Sequence, residues 1–106
     1  MTKIINLTPH PISITDGPTF QPSGTVARVS VQQEDAGDIN GIPVKKQVFG
    51  DITGLPDPQD DTIFIVSALV LEAAKAVGRD DLVAPNTANA VRDENGHIKS
   101  VPGFVR

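Results

Sequence analysis

Hydrophobic residues in this chain come in short runs broken by prolyl and glycyl turns, and in only one stretch do they recur at helical spacing. Thr62 to Val66 is dense in β-branched and aromatic residues, which predicts a strand. Ser67 follows where a helix N-cap is wanted, and Leu69, Val70, Ala73, Ala74 and Val77 then share one helical face, opposite Glu72 and Lys75. Gly78 supplies the stop. Upstream, Lys3 to Leu7 and Ile12 to Ile14 are apolar runs separated by Thr8-Pro9-His10-Pro11, where two prolines forbid a continuous ladder; they predict a first pair of strands. Asp16-Gly17-Pro18 ends the second of these, Thr19 to Gln21 is extended, and Pro22-Ser23-Gly24 turns into a half-buried strand over Thr25 to Val31.

The polar, acidic segment Gln32 to Asn40 predicts a surface loop. It ends in Asn40-Gly41, a dipeptide suited to a two-residue hairpin turn because both residues tolerate positive φ. Ile42 to Phe49 predicts a strand, and Gly50-Asp51 with Gly54-Leu55-Pro56-Asp57-Pro58 a rigid prolyl connection. After the helix, Asp81 to Asn89 predicts a loop, and Ala90 to Asp93 with Ile98 to Val101 a hairpin about Asn95-Gly96. The sum is an α+β fold: a small antiparallel β-sheet of short hairpins, with one main amphipathic helix after the central strand, in a single domain over residues 1–106.

Composition sharpens this picture in one respect. Of 106 residues 39% are hydrophobic, four are Phe, and Trp, Tyr and Cys are absent, so few large side chains can fill an interior. Oligomerisation relieves such a shortage by burying more apolar surface. The net charge of -4 argues against binding DNA or RNA polymers, which requires a basic stripe. Without cysteines there are no disulfides or thiolate metal sites, as suits a reducing cytosol. No run reaches the roughly 20 apolar residues of a membrane span, and the N-terminus lacks a secretory core, so the expected location is the cytoplasm.

Candidate chemistry favours binding over catalysis. His10 and His97 have no carboxylate or second histidine near them at ligand spacing, so no metal site is expected, and His10 reads as a turn cap. Asp60-Asp61 and Asp80-Asp81 are adjacent pairs that point in opposing directions. Phosphate-loop, serine-elbow and cysteine-nucleophile motifs are all missing. A nucleotide site needs a face for the base, donors for phosphate or ribose and a lid, which Phe64, the Ser67 helix terminus, Arg92 and the Pro85-Asn86-Thr87 loop could supply. By burial preference a Phe inside the best strand of a chain with four aromatics is more often core than pocket, and Arg92 is either a ligand clamp or an ion-pair partner of Asp80 or Asp93.

The segments INLTPHPISI, PSGTVARV, VFGDITGLP, IFIVSALVLEAA, GRDDLVAPN and AVRDENGHI, in this order over nearly the whole chain, resemble a family of small phage proteins, the first type of anti-Thoeris sponge. The resemblance implies a nucleotide-sequestering domain acting in the cytoplasm of an infected bacterial host. It would capture a cyclic ADP-ribose isomer made by a TIR-domain defence enzyme and hold it uncleaved, without being an enzyme and without a cofactor. It also implies a homo-oligomer, dimer or higher, with the pocket between subunits, and cyclic oligonucleotides as further ligands of some members. By the same resemblance Phe64 would stack on the adenine, Arg92 would contact phosphate or ribose, Asn86 and Thr87 would belong to a closing loop, and Arg28 and Arg79 would be anion contacts. Two alternatives are a small self-associating phage structural or assembly protein, and a phosphodiesterase that degrades the signal.

Overall fold

The computed structural model of the chain describes residues 2–106. Its centre is a four-stranded sheet in the order β1 (Lys3–Asn6), β6 (Thr62–Ile65), β7 (Leu82–Pro85), β10 (Phe104–Val105). β1 and β7 flank β6 in parallel, and only β10 runs antiparallel. The expectation of an antiparallel sheet is thus corrected at the core. The single helix α1 (Ala68–Ala76) connects β6 to β7, and a crossover of this length returns the chain parallel to the strand it left. The fold remains a mixed α+β one, made mostly of strands.

The helix begins and ends as the sequence predicts. The Ser67 hydroxyl accepts the Val70 N–H at 3.2 Å. At the other end Gly78 takes φ +81°, and the Gly78 and Arg79 N–H groups donate to the Lys75 and Ala74 carbonyls, each at 3.1 Å. The buried helix face, Val70, Leu71, Ala73 and Ala74, packs against β7 and against the bases of two long strands described next. Phe64, Leu7, Leu82 and Ala84 complete the core.

Those long strands are β4 (Arg28–Ile39) and β5 (Ile42–Thr53), 12 residues each, paired antiparallel as a two-stranded ribbon. The turn at its tip is the expected one, with Asn40 at φ 52° and Gly41 at φ +79°. Gln32 to Asn40 is not a loop, however, and Gly50-Asp51 is strand rather than connection. The ribbon lies mostly outside the core, so its residues carry no in-out alternation to betray a strand. Glu34 pairs with Lys46 and Asp35 with Lys45 across it, the second as an ion pair. At its base Gly54 is obligatory, because at φ +75° a Cβ would overlap the Val26 carbonyl oxygen.

Two small hairpins decorate the sheet: β2 (Ile12–Ser13) with β3 (Thr19–Phe20), and β8 (Val91–Arg92) with β9 (Ile98–Ser100). The second is the hairpin expected about Asn95-Gly96. The first corrects the expected pairing of Lys3 to Leu7 with Ile12 to Ile14, since β1 instead pairs with β6. The expected loop Asp81 to Asn89 contains β7 and a 3-10 turn at Thr87–Asn89. No helix among the described residues is long and apolar enough to cross a membrane.

Arg79 closes the C-terminal side of the helix. Its Nε and Nη2 donate to Asp81 Oδ1 and Oδ2, both at 2.9 Å, and Nη2 also donates to the Pro56 carbonyl at 3.0 Å. The hydrogen bonds and charge of Arg79 hold the Asp81 carboxyl below its usual range, outweighing the opposing effect of burial. A carboxyl depressed on folding contributes stability that is fully present above its unfolded value of about 4 and is lost as pH falls through the lower folded value. Urea unfolding of Asp81→Asn between neutral pH and pH 3 is expected to show a lower midpoint at neutrality and a shallower acid decline than wild type. Parallel acid limbs would remove Asp81 from the acid response.

Candidate functional site

The parallel strands β1, β6 and β7 end together at one edge of the sheet, and the segments that leave them gather there. After β1 comes Thr8 to Pro11, after β6 the N-terminus of α1, and after β7 the Asn86-Thr87 corner. Carboxyl edges of parallel sheets are where ligands bind in α/β folds, because the chain diverges at that edge and leaves crevices.

Asn6, the last residue of β1 and 2% exposed, sets the first of these segments. Its Nδ2 donates to the carbonyls of His10 at 2.8 Å and Phe20 at 3.0 Å, while its Oδ1 accepts the Thr8 N–H at 2.9 Å and the Thr8 hydroxyl at 2.7 Å. One amide therefore folds the Thr8-Pro9-His10 corner back on itself and fastens it to β3. The second hairpin is fastened from the other side. The Val101 N–H donates to Ser13 O at 2.9 Å, Thr15 N–H donates to Val101 O at 2.8 Å, and the Thr15 and Ser100 hydroxyls are 2.8 Å apart.

Between these walls lies a cleft of about 490 Å³, the size of many small-ligand sites. His10, Thr87, His97, Lys99, Ser13 and Ser100 bring polar groups to it, and Ile12, Ile98, Pro85 and Val101 line the rest. A smaller cleft of about 240 Å³ lies on the other side of the same corner, bordered by Pro9, Arg28, Ser67 and Val70. No carboxylate lines either cleft among the described residues. The opposite, amino edge of the sheet is the reverse: Asp61, Asp80 and Asp81 gather there, with Arg106. The two clefts at the carboxyl edge are thus lined by Lys99 and Arg28 without an acidic residue, whereas at the amino edge Asp61 and Asp80 lie beside Arg106 and the Arg79–Asp81 pair.

The residues proposed from sequence do not assemble into one pocket of a single chain. Thr87 lines the larger cleft, and Asn86, at its rim, donates its N–H to Gly103 O at 3.0 Å. Ser67 and Arg28 border the smaller cleft, the Ser67 hydroxyl being engaged by the helix. Arg92 sits exposed on β8, forming no ion pair with Asp80 or Asp93; its Nη1 donates to the Gly96 carbonyl at 2.9 Å and braces the hairpin that carries His97 and Lys99. Two assignments are corrected. Phe64 is 0% exposed at the centre of the core and presents no face on which a base could stack. Arg79 commits its Nε and Nη2 to Asp81 and Pro56, and the Asp81 carboxylate balances its charge. It lies at the end of the molecule away from both clefts, so it is a structural ion-pair partner rather than an anion contact of either.

Sequence reasoning missed His10, His97 and Lys99 as members of one site. The two histidines stand far apart in the chain, and only the contact of β2 with β9 brings them to one cleft. His97 is steadied by Asp93, whose Oδ2 lies 3.9 Å from Nδ1 and whose Oδ1 accepts the His97 N–H at 3.0 Å. Among the described residues no three His, Cys, Asp or Glu side chains converge as a metal site would require. Comparison with family models, with curated proteins and with solved structures finds no match.

Proposed function

We propose that this chain binds and sequesters a small phosphorylated nucleotide of the cyclic ADP-ribose class, holding it uncleaved at the carboxyl edge of the parallel strands. The observation that carries the proposal is the larger cleft: His10, His97, Lys99, Ser13 and Ser100 line it together with Ile12, Ile98, Pro85 and Val101, and no carboxylate residue is among its lining. Such a set offers charge and donors for phosphate or ribose oxygens and apolar contact for a base. Nothing in it is arranged as a nucleophile beside a base, which accords with capture rather than turnover. The resemblance supplies the ligand class, the phage origin and the site of action in the host cytoplasm.

Calorimetric titration with cyclic ADP-ribose isomers, with linear ADP-ribose as control, tests the reading, followed by heat release and chromatography of the bound ligand. Tight binding with intact ligand recovered is expected. Lys99→Ala should weaken it by roughly tenfold or more, the value of one charge-assisted hydrogen bond. Arg92→Ala should weaken it by less, through the hairpin it braces. Wild-type affinity in Lys99→Ala would remove the cleft as the site, and a cleaved product would replace the sponge with the phosphodiesterase alternative.

A further inference from the structure

The turn of the β8–β9 hairpin is built around one carboxylate. Asp93 Oδ1 accepts the Asn95 and His97 N–H groups at 2.9 and 3.0 Å. Its backbone closes the same turn, the Asp93 N–H donating to His97 O at 2.9 Å and the Gly96 N–H to Asp93 O at 3.0 Å. Arg92 Nη1 ties the Gly96 carbonyl in turn. His97 is thus held at both its backbone groups, and Asp93 Oδ2 lies 3.9 Å from its Nδ1. A carboxylate there favours a proton on Nδ1, which leaves Nε2 for a ligand. It also favours the charged imidazole.

Two residues on, β9 departs from its ladder. Val91 pairs with Ser100 and Arg92 with Ile98, so Lys99 is the extra residue of a bulge. A bulge takes one residue out of the alternation and re-aims its side chain. Lys99 and His97 both line the larger cleft, and His10 lines it from the Thr8-to-Pro11 segment. His10 is fixed as well, its carbonyl accepting Asn6 Nδ2 at 2.8 Å and the Thr8 hydroxyl at 3.0 Å. The other charged groups about these imidazoles are Arg92 on β8 and Asp93 and Glu94 in the turn before His97. The β7 corner brings Pro85 and Thr87, and β2 brings Ile12 and Ser13, all uncharged. Asp16, past β2, borders a neighbouring cleft with Lys99, and Arg28 lies beyond Pro9 on the smaller cleft.

An anion in the larger cleft therefore meets one fixed charge, on Lys99, and two imidazoles whose charge follows pH. Histidine is the side chain that ordinarily takes up its proton between about pH 8 and 5. Without an anion Lys99 opposes that uptake, and an anion seated beside it reverses the balance. We infer that capture at this cleft is proton-coupled: the phosphate of the ligand is seated by Lys99 together with His10 and His97 in their charged forms, and Asp93 is the positioning residue that turns His97 to it. The inference rests on the cleft being the ligand site. Ligand and proton then tighten one another by the same factor in either direction, so the dissociation constant falls as pH falls. His97 is 81% exposed, and water screens its charge. The expected gain is accordingly modest, roughly fivefold over both imidazoles between about pH 8 and pH 6.

Calorimetric titration of the full chain with the cyclic ADP-ribose isomers tests this at about pH 8, 7 and 6, each in two buffers that differ in their heat of ionisation. Wild type should tighten by roughly fivefold toward acid, and its binding heat near neutrality should differ between the buffers in the sense of proton uptake. The double variant His10→Gln with His97→Gln keeps a donor at each position and leaves any titration of the ligand itself to show alone. It should lose both effects. Asp93→Asn, which keeps an Oδ1 for the Asn95 and His97 N–H groups and removes the charge, should lose part of the acid gain. A wild-type pH profile that matches the double variant, or heats that agree between buffers, would overturn the inference and leave the ligand reading standing. A wild-type profile in Asp93→Asn would take Asp93 out of it. Failure of every isomer to bind at any of these pH values would sink the ligand reading itself, and the proton coupling with it.

Discussion

Phe64→Ala is expected to cost about 3–5 kcal/mol, a large part of the stability of a domain this small. The side chain is 0% exposed, lies in the central parallel strand, and is the largest of the fully buried residues. The chain has four Phe and no Trp or Tyr, so no neighbour of similar volume can move into the space. Urea unfolding should register the loss as a lower midpoint, with the slope kept if the domain still folds cooperatively. Phe64→Leu, which keeps most of the volume, should cost much less. The pair also separates core from ligand platform: a Phe64→Ala protein with a wild-type midpoint and lost nucleotide binding would return the ring to a stacking role.

Asn6→Ala should be the next most damaging change, and the only one to act on both stability and the candidate site. The variant loses four hydrogen bonds and strands the Phe20 carbonyl and the Thr8 N–H near the buried end of β1, while the His10 carbonyl keeps the Thr8 hydroxyl as a donor at 3.0 Å. Leaving such groups unpaired costs about 1–3 kcal/mol each where water cannot reach them. Partial solvation here makes a total of about 2–4 kcal/mol the reasonable expectation. Hydrogen exchange should show the Thr8 amide losing protection first. Nucleotide affinity should fall as well, because the corner that Asn6 fastens carries His10 to the cleft. Thr8→Val, which removes only the hydroxyl, is the milder control; equal effects from both would mean that the amide of Asn6 is not the organising group.

The elements legible in the sequence were those whose local chemistry decides their form. Ser67 and Gly78 bracket the helix because one side chain and one positive φ suffice to start and stop it. Asn40-Gly41 and Asn95-Gly96 fix their hairpins for the same reason. What escaped was set by distant partners. The parallel pairing of Lys3 with Thr62 leaves no trace in either segment, and Leu82 to Pro85 is too short to stand out from its polar surroundings. The acidic stretch Gln32 to Ile39 reads as loop because it touches no core, although the ladder pairs it on both sides of a bulge between Asp35 and Asp38, where Gly37 takes φ +90°. The site divides likewise. Thr87, singled out for its loop chemistry, lines the larger cleft, but His10, His97 and Lys99 come to the same cleft only through tertiary contact. Phe64 and Arg79 have the right chemistry for a ligand, and it is spent on the core and on Asp81.

The pairing of β1 with β6 also bears on the order in which the chain acquires its shape. During synthesis at roughly 5–20 residues per second, Lys3 to Asn6 waits some 3–12 seconds before the segment it pairs with has even been made. The ribbon has no such delay, since its two strands are adjacent and a hairpin closes in microseconds once both have emerged. Long-range pairings of this kind slow the final assembly of a domain. The nascent chain can therefore close the ribbon's ladder well before β1 meets β6, but two strands alone hold only marginally, so the ribbon becomes lasting once its base packs on the helix made after it.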